Sequence, residues 1–437
     1  MNKLEQASAY FKENQGYTRL FKGIKSKYIS LGQIKGNVII SNPTEIEKQA
    51  ISGLMKKDYS KNKTISINLK KMQQMLDESR FSGVDLKDIL NQYFKEEIST
   101  KKENALKYEI DLKNFFESIL EKNRNTYVYK YLEEIIDCKN EIYENLKMYY
   151  NREKDILQKE LINACKGINN LPKQKTRIPV FASDITSNPH GFDKKSLCGK
   201  IFIMLLCYIN DVQRPKNSEE LSELLFNNNL LIDDVSNMVL CKNITAFTKV
   251  EMIEKAEEHE GWKGFNQYNE PIFLTLYNLS NIDTVKVGKG YKNVVVTENP
   301  AVFMAVKEKC KFTDFPLVCT YGQVRLSGII LLNLLIESGL KIYYSGDLDP
   351  EGIQIADKLK TRFKDNIEFL GFDVNTYYQN MSDIKLNDTR LSKLDGIKSL
   401  ELQELCKKIK ENRKVAYEEK NIEGIIEFIE NFVFLCQ

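Results

Sequence analysis

The sequence predicts an α/β and α protein of several domains, with a parallel sheet in its C-terminal third. The chain has 437 residues, of which 42% are hydrophobic, so it is long enough for two or three domains with real cores. From about residue 293 short apolar segments alternate with helical ones, which is typical of parallel strands joined by right-handed crossovers. Residues 101–163 contain neither proline nor glycine and repeat apolar residues at helical spacing, which predicts a long helical segment.

Composition narrows the classes of function. No run of eighteen apolar residues occurs and the N-terminus lacks an apolar leader, so we expect a soluble cytoplasmic protein without a membrane partner. The nine cysteines are scattered and never form CxxC, which favours reduced thiols. Only two histidines are present, His190 and His259, too few for a typical histidine metal centre. Enzymatic chemistry would therefore rest on carboxylates.

The distribution of charge says more about nucleic acid than the net charge does. A net charge of +3 is too small to argue for DNA binding by itself. Residues 56 to 71, however, contain six lysines and only one acid, Asp58. Such a cluster can track phosphates, although a solvated surface is the commoner outcome. The candidate DNA contacts here are Lys56, Lys57, Lys70 and Lys71.

Residues 1–100 predict a small, basic, mixed α/β module. A short strand at 36–40 precedes a helix that begins near Asn42 and Pro43. Residues 64–69 alternate as a strand does and lead into a second helix. Periodicity leaves a winged-helix module and an arm-like module both open.

Residues 101–165 predict a helical hairpin or coiled-coil arm, because a polar turn, KNRNT, separates two apolar stripes. Such a stripe is usually intramolecular core, and a surface for a partner is the less common alternative.

Residues 166–285 predict a mostly helical region of the size of a winged-helix-like DNA-binding domain with extra elements. It begins with a proline-containing linker at 172–179 and continues with the turn SNPHGFDKKS. This turn carries His190, Lys194 and Lys195 as candidate DNA contacts. His190 is suited to touch a phosphate or to cap the turn locally, and taken alone the cap is favoured.

Residues 286–437 predict alternating strands and helices followed by a helical tail. The strands are expected at 293–297, 316–320 and 340–345, with a further one at 367–372. Helices are expected at 300–309, 323–338 and 352–363, and the chain beyond 391 is mainly helical in pattern.

Acidic residues stand at two of the predicted strand ends. Glu298 closes the first strand, and the turn GDLDPEG after the third carries Asp347, Asp349 and Glu351. The carboxyl ends of parallel strands share one edge, so we expect these four acids to meet there. Their mutual repulsion is relieved by a cation, and hard oxygen ligands suit Mg²⁺ or Mn²⁺. An Asp-rich helix cap is the more common explanation for such a turn alone, and Glu298 shifts the balance towards a metal site.

The role of Glu298 stays open at this point. It is placed either to bind the ion or to move a proton as general acid or base.

A glutamate that closes one strand, with a DxDxE turn that closes another, resembles the Toprim domain of topoisomerases, primases and related nucleases, a Rossmann-like parallel sheet. More narrowly, the sequence of these motifs and of the segments around them resembles JetD, the Toprim nuclease subunit of Wadjet anti-plasmid defence systems. JetD is related to the A subunit of topoisomerase VI. The resemblance covers about residues 180–365 well and the N-terminal part loosely. It is carried by ENPAVF at 298–303, TYGQ at 320–323, YYSGDLDPEGIQIA at 343–356, SNPHGFD at 187–193 and LLIDDVSNMVL at 230–240.

The resemblance implies metal-dependent cleavage of double-stranded DNA, directed by an SMC-like ATPase with kleisin and KITE-type subunits. Carried over by motif, Glu298, Asp347 and Asp349 are the catalytic and metal-binding carboxylates, and Glu351 is a further ligand. Gln323 of TYGQ is a candidate DNA contact. The helical arm becomes a candidate docking surface for the SMC complex, and two strands to cut favour a homodimer.

Two alternatives remain beside a nuclease. One is a topoisomerase VI-like tyrosine transesterase, for which the middle region offers only scattered tyrosines such as Tyr208, Tyr268 and Tyr277. The other is a non-catalytic DNA-binding adaptor that uses the Toprim fold as a scaffold.

Overall fold

The chain folds as two units, Met1–Ile162 and Asn163–Gln437. A computed structural model describes residues 2–248, 256–288 and 290–436. The boundary between the units lies near the C-terminal end of the predicted helical arm.

The N-terminal unit combines a two-stranded antiparallel sheet with helices. Val38 and Ile40 of one strand, and Ile65 and Ile67 of the other, point into a core that the first five helices share. Both strands lie within a residue of the predicted positions. The elements are α1 (Lys3–Glu13), α2 (Thr18–Leu31), β1 (Asn37–Ser41), α3 (Glu45–Met55), β2 (Thr64–Asn68), α4 (Leu69–Asp77), α5 (Leu86–Phe94), α6 (Lys101–Lys122), α7 (Tyr129–Cys138) and α8 (Glu141–Asn169).

Helices α6, α7 and α8 occupy the segment for which the lack of proline and glycine predicts a helical arm. Helix α6 packs on α8. The ring centres of Phe115 and Tyr150 are 5.0 Å apart, and the Tyr108 hydroxyl donates a hydrogen bond to Asn151 at 2.7 Å. Helix α8 is interrupted at Glu153, whose backbone is not helical.

The C-terminal unit holds the larger sheet. Its helices are α9 (Ile178–Thr186), α10 (Leu197–Ile209), α11 (Ser218–Asn227), α12 (Glu260–Gln267), α13 (Leu276–Ser280), α14 (Pro300–Lys309), α15 (Leu326–Glu337), α16 (Pro350–Phe363), α17 (Val374–Asn380), α18 (Asp388–Leu391), α19 (Leu400–Asn412) and α20 (Ile422–Cys436). Its strands are β3 (Thr176–Arg177), β4 (Leu230–Leu231), β5 (Met238–Lys242), β6 (Ile244–Thr248), β7 (Glu257–Glu258), β8 (Ile272–Thr275), β9 (Ile282–Val287), β10 (Asn293–Thr297), β11 (Leu317–Cys319), β12 (Lys341–Ser345), β13 (Ile367–Phe369), β14 (Met381–Lys385) and β15 (Lys414–Ala416).

Six of these strands form one mostly parallel sheet in the order β13-β12-β10-β11-β5-β8. The first four are parallel, which confirms the parallel sheet predicted from the alternation of strands and helices. Strands β5 and β8 come from the region predicted as winged helix and extend the same sheet in antiparallel fashion. The Toprim and winged-helix assignments themselves stay predictions.

Side chains of the central strands alternate between two apolar layers. Val294 and Val296 of β10 pack with Leu331 of α15 on one face, whereas Val295 packs with Phe303 of α14 on the other. With both faces covered, the strands expose only their ends, and the loops at the carboxyl ends carry the polar residues.

Beyond residue 391 the chain is mainly helical, as predicted, with α19 and α20, and the short β15 in this tail pairs in antiparallel fashion with β14. At the end of β15 the chain returns to the acidic turn, where Leu348 and Ala416 exchange backbone hydrogen bonds of 2.9 and 3.2 Å. The turn itself is fixed at the start of α16, where Gly352 N donates to the Asp349 carboxylate at 2.8 Å.

Among the residues described, no helix combines the length and the apolar composition that crossing a bilayer requires.

The tight start of α16 yields the first prediction. A Cβ atom on Gly352 would lie 2.2 Å from the carbonyl oxygen of Asp347, so the turn or the helix must shift. We expect Gly352→Ala to destabilise the C-terminal unit by roughly 1–3 kcal/mol. Thermal unfolding followed by circular dichroism measures this as a lower Tm.

The control for this variant is Gly264→Ala in α12, where an added Cβ would meet nothing within 4 Å. Its Tm should be unchanged or slightly higher, since alanine restricts the unfolded chain more than glycine does. Equal Tm values for the two variants would contradict the steric argument.

Candidate active site

The carboxyl edge of the parallel strands brings Glu298 and the acidic turn together, although they are 49 residues apart in sequence. Strands β10 and β12 are neighbours, with Thr297 opposite Ser345. Oxygen Oε2 of Glu298 accepts hydrogen bonds from the Asp347 backbone N–H and from the Tyr344 hydroxyl, each at 3.4 Å. The edge predicted from the sequence therefore holds at least these two acids in contact.

A third acid at this edge, Glu418, was missed by sequence reasoning. It follows β15, and only 2% of its surface is exposed. Its carboxylate accepts from the backbone N–H of Asn299 at 2.9 Å and of Glu298 at 3.4 Å. Its own backbone N–H donates to Oδ1 of Asp347 at 2.9 Å. The sequence offered only a pair of adjacent glutamates in the tail, a signal too common to single out.

All three acids have raised pKa values, and burial is the main cause for each of them. Burial, followed by the charge of Asp347, raises the pKa of Glu298 to about 7. Burial raises the pKa of Glu418 to about 8 against the hydrogen bond from Asn299, and the charges of Glu298 and Asp347 add to the shift. Burial is also the main reason that the pKa of Asp347 is raised. In the described part of the chain, no lysine or arginine forms an ion pair with these three.

The other two predicted acids have a different environment. Nε of Arg390, in α18, donates to both carboxylate oxygens of Glu351 at 3.1 and 3.0 Å. Nη2 of the same guanidinium donates to Asp349 and to Glu351. Lys393 Nζ adds a contact of 2.7 Å to Glu351. Burial alone would raise the pKa of Glu351, but the hydrogen bonds from Arg390 and Lys393 outweigh it and lower that pKa to about 2.

The four predicted acids are thus divided into two groups. Glu298 and Asp347 lie with Glu418 and form no ion pair with a described basic residue, whereas Asp349 and Glu351 are paired with Arg390. Arg390 and Lys393 were also missed by sequence reasoning, since they lie in the tail and belong to no motif.

The acids without a basic partner have the chemistry that a hard cation prefers. Within the described ranges, no group of three or more histidine, cysteine, aspartate or glutamate side chains encloses a common point as in an all-protein metal cage. Mg²⁺, however, is usually held by one or two carboxylates together with water and substrate phosphate. Glu298 and Asp347 fit Mg²⁺ or Mn²⁺ in that manner, because burial disfavours the charge of both carboxylates and a cation would compensate it.

Three of the candidate DNA contacts lie in the turn before α10. The backbone N–H of His190 donates to the Asn188 side chain at 3.0 Å, and its ring Nδ1 lies 3.1 Å from Asp193. These local contacts are those of a turn cap. Lys194 and Lys195 line a cavity of about 430 Å³ near Phe192.

Gln323 lies just after β11 and lines a cavity of about 470 Å³ together with Gln354 of α16. It is therefore close to the helix that begins at the acidic turn.

The four lysines of the basic cluster are exposed on the N-terminal unit. Lys56 caps α3 and lies 3.5 Å from Glu78, and the Lys57 ammonium lies 5.5 Å from the centre of the Tyr59 ring. Lys70 and Lys71 stand at the start of α4. Their contact with DNA stays a prediction.

Comparison with protein families places the site within one of two matches. Residues 34–246 match a model described as "Protein of unknown function N-terminus (DUF3323)". Residues 272–429 match a model described as "Protein of unknown function C-terminus (DUF2399)", and this stretch contains every acid of the site as well as Arg390. No curated protein matches the chain.

The raised pKa values predict how stability depends on pH. Glu298 and Glu418 have folded-state pKa values of about 7 and about 8, above the value of about 4.3 for an unfolded glutamate. The folded state therefore holds protons that the unfolded state releases. We expect the stability to be full near pH 4.5 and to fall by about 2 kcal/mol or more as the pH rises through 8.

Comparison of Tm across this range for the wild type and for Glu418→Gln tests the assignment, because the variant should show a shallower decline. Glu308→Gln, which changes an exposed glutamate of α14, is the control and should keep the slope of the wild type. A slope unaffected by Glu418→Gln would show that Glu418 does not titrate in this range.

Proposed function

We propose that this chain is a Mg²⁺- or Mn²⁺-dependent endonuclease that hydrolyses double-stranded DNA as the nuclease subunit of an SMC-type Wadjet defence complex. The observation that carries the proposal is the cluster of Glu298, Asp347 and Glu418 at the carboxyl edge of adjacent parallel strands. Glu418 is buried and the other two are half-buried, and no described lysine or arginine forms an ion pair with any of the three. Such an edge is where α/β sheets bind ligands, and such carboxylates suit a cation that approaches phosphate. The succession of the two matched families is typical of the JetD architecture, which supports the finer assignment.

Glu298 and Asp347 are the residues that would hold the ion. When bound, the ion polarises the phosphoryl oxygen and stabilises the leaving oxygen. Since Oδ1 of Asp347 accepts the N–H of Glu418, the other oxygen of this carboxylate would be the one available to an ion.

As the alternative to binding the ion, Glu298 is suited to move a proton. A pKa of about 7 lets the carboxyl group gain and lose a proton at neutral pH. Oxygen Oε2 already accepts from Tyr344 and Asp347, so Oε1 is the atom that would take a proton from water or return one to the leaving oxygen.

Glu418 is a positioning residue in this scheme. Its carboxylate binds the backbone of residues 298 and 299, and its own backbone binds the side chain of Asp347. It therefore fixes the distance between the two groups that meet the phosphate.

The partners proposed for this nuclease are DNA, the SMC-like ATPase with its kleisin and KITE-type subunits, and a second copy of the chain. Exposed apolar residues on the helical arm support a docking role. Leu106 and Ile110 lie one turn apart on α6 and are about half exposed, and Ile156 on α8 is similarly exposed.

A tyrosine transesterase is the second candidate, and one observation favours it. Tyr321 follows β11 at the same edge, is 53% exposed and has a left-handed backbone with φ of 58°. The next residue, Gly322, donates its N–H to the backbone carbonyl of Glu298 at 3.0 Å. In this reaction the Tyr321 oxygen would bond to phosphorus while the bond to the deoxyribose oxygen breaks. Tyr344 is unsuited to this role because it is fully buried.

The nuclease proposal predicts that Glu298→Gln and Asp347→Asn each lower DNA cleavage by roughly 10²–10⁴-fold, because one loses proton transfer and both lose carboxylate charge. Plasmid restriction in cells that carry the whole complex, and Mg²⁺- or Mn²⁺-dependent nicking by the purified complex, measure the effect. Glu308→Gln, an exposed glutamate of α14, is the matched control and should retain activity.

Cleavage that persists in both acid variants would refute the nuclease assignment. A protein–DNA adduct that disappears in Tyr321→Phe would identify the transesterase instead. Absence of divalent-ion binding, together with neutral acid variants, would identify a DNA-binding adaptor.

A further inference from the structure

The carboxylates of Asp349 and Glu351 are already occupied by donors of the protein itself. Oδ1 of Asp349 accepts the N–H of Gly352 at 2.8 Å, and Oδ2 accepts Nη2 of Arg390. Both oxygens of Glu351 accept from Arg390, and Oε1 also accepts from Lys393 at 2.7 Å. Every carboxylate oxygen of this pair therefore has a partner.

In Glu298 and Asp347, by contrast, only one carboxylate oxygen of each residue accepts a hydrogen bond from a described residue. Within the described residues, Oε1 of Glu298 and Oδ2 of Asp347 accept no hydrogen bond, and no cationic side chain forms an ion pair with either residue. One half of the acidic edge thus has free oxygens and the other half has none.

The contact of Arg390 is more than a surface ion pair. Its guanidinium bridges two acids of the same turn, and Asp349 is only 9% exposed. The side chains of Arg390 and Glu351 are 33% and 37% exposed, but the fork bonds two carboxylates at once and one of them is nearly buried, which distinguishes it from a fully exposed pair. Removal of Arg390 would leave two close carboxylates with the N–H of Gly352 and Lys393 as their remaining donors.

We propose that Arg390 is a built-in cation that fills the half of the acidic edge formed by Asp349 and Glu351, so that each chain binds a single divalent ion, at Glu298 and Asp347. This inference rests on the proposed metal-dependent function and specifies it. Arg390 acts as a positioning residue: it neutralises the turn at the start of α16 and keeps a second ion out.

The number of Mn²⁺ ions bound to the full-length chain tests the proposal. Isothermal titration calorimetry, checked by the electron paramagnetic resonance of free Mn²⁺, should give one ion per wild-type chain. Arg390→Gln frees Asp349 and Glu351 and should give two. Arg390→Lys keeps a cation and should give one, as should the control Arg413→Gln, which changes an exposed arginine paired with Asp388 in the same segment.

Two ions on the wild type, or one ion on a folded Arg390→Gln variant, would overturn the inference while leaving the proposed nuclease intact. No ion on the wild type would overturn both. If circular dichroism shows that Arg390→Gln does not fold, the comparison of Asp349→Asn with Asp347→Asn decides. Binding should persist in the first and vanish in the second, and loss of binding in Asp349→Asn would overturn the inference.

Discussion

The backbone bridge between Leu348 and Ala416 is the contact on which the site depends. It consists of two reciprocal hydrogen bonds, and both residues are buried. Because Glu418 lies two residues beyond Ala416, the bridge carries its carboxylate to the N–H groups that follow β10 and its N–H to Asp347. The carboxyl ends of β10 and β12 lie side by side in the sheet, and Glu418 in the tail forms hydrogen bonds with the residues that follow both strands.

The crowded carboxylates at this edge of the sheet are stabilised in two different ways. At Asp349 and Glu351 a guanidinium neutralises the charge, and the pKa of Glu351 falls to about 2. At Glu298 and Glu418 no cationic side chain is present among the described residues, so the groups retain protons to about pH 7 and 8. Burial is the first cause of both raised values, and the neighbouring charges add to it. The half of the edge without a built-in cation is the half that would gain most from binding one.

The features that the sequence predicted depend on local patterns, whereas the features that it missed depend on contacts between residues far apart in the chain. The strands β10, β11 and β12 were predictable because short apolar runs alternate with apolar helices, and Glu298 and Asp347 were predictable as their immediate successors. Glu418 and Arg390 were not, since they reach the site from 71 and 41 residues away through a tail whose strands are five and three residues long. Strands β5 and β8 were also missed, because their place in the sheet depends on pairing with β11 rather than on their own pattern.

Glu418 is synthesised after the parallel strands whose ends it joins. The ribosome delivers the parallel strands well before residue 418, so the sheet can begin to form while the edge still lacks its third acid. A chain interrupted between α16 and β15 would keep the strand ends but not the bridge to Leu348 that joins them. Completion of the edge is therefore tied to synthesis of the chain through residue 418, so shorter chains would lack the ordered cluster of three acids.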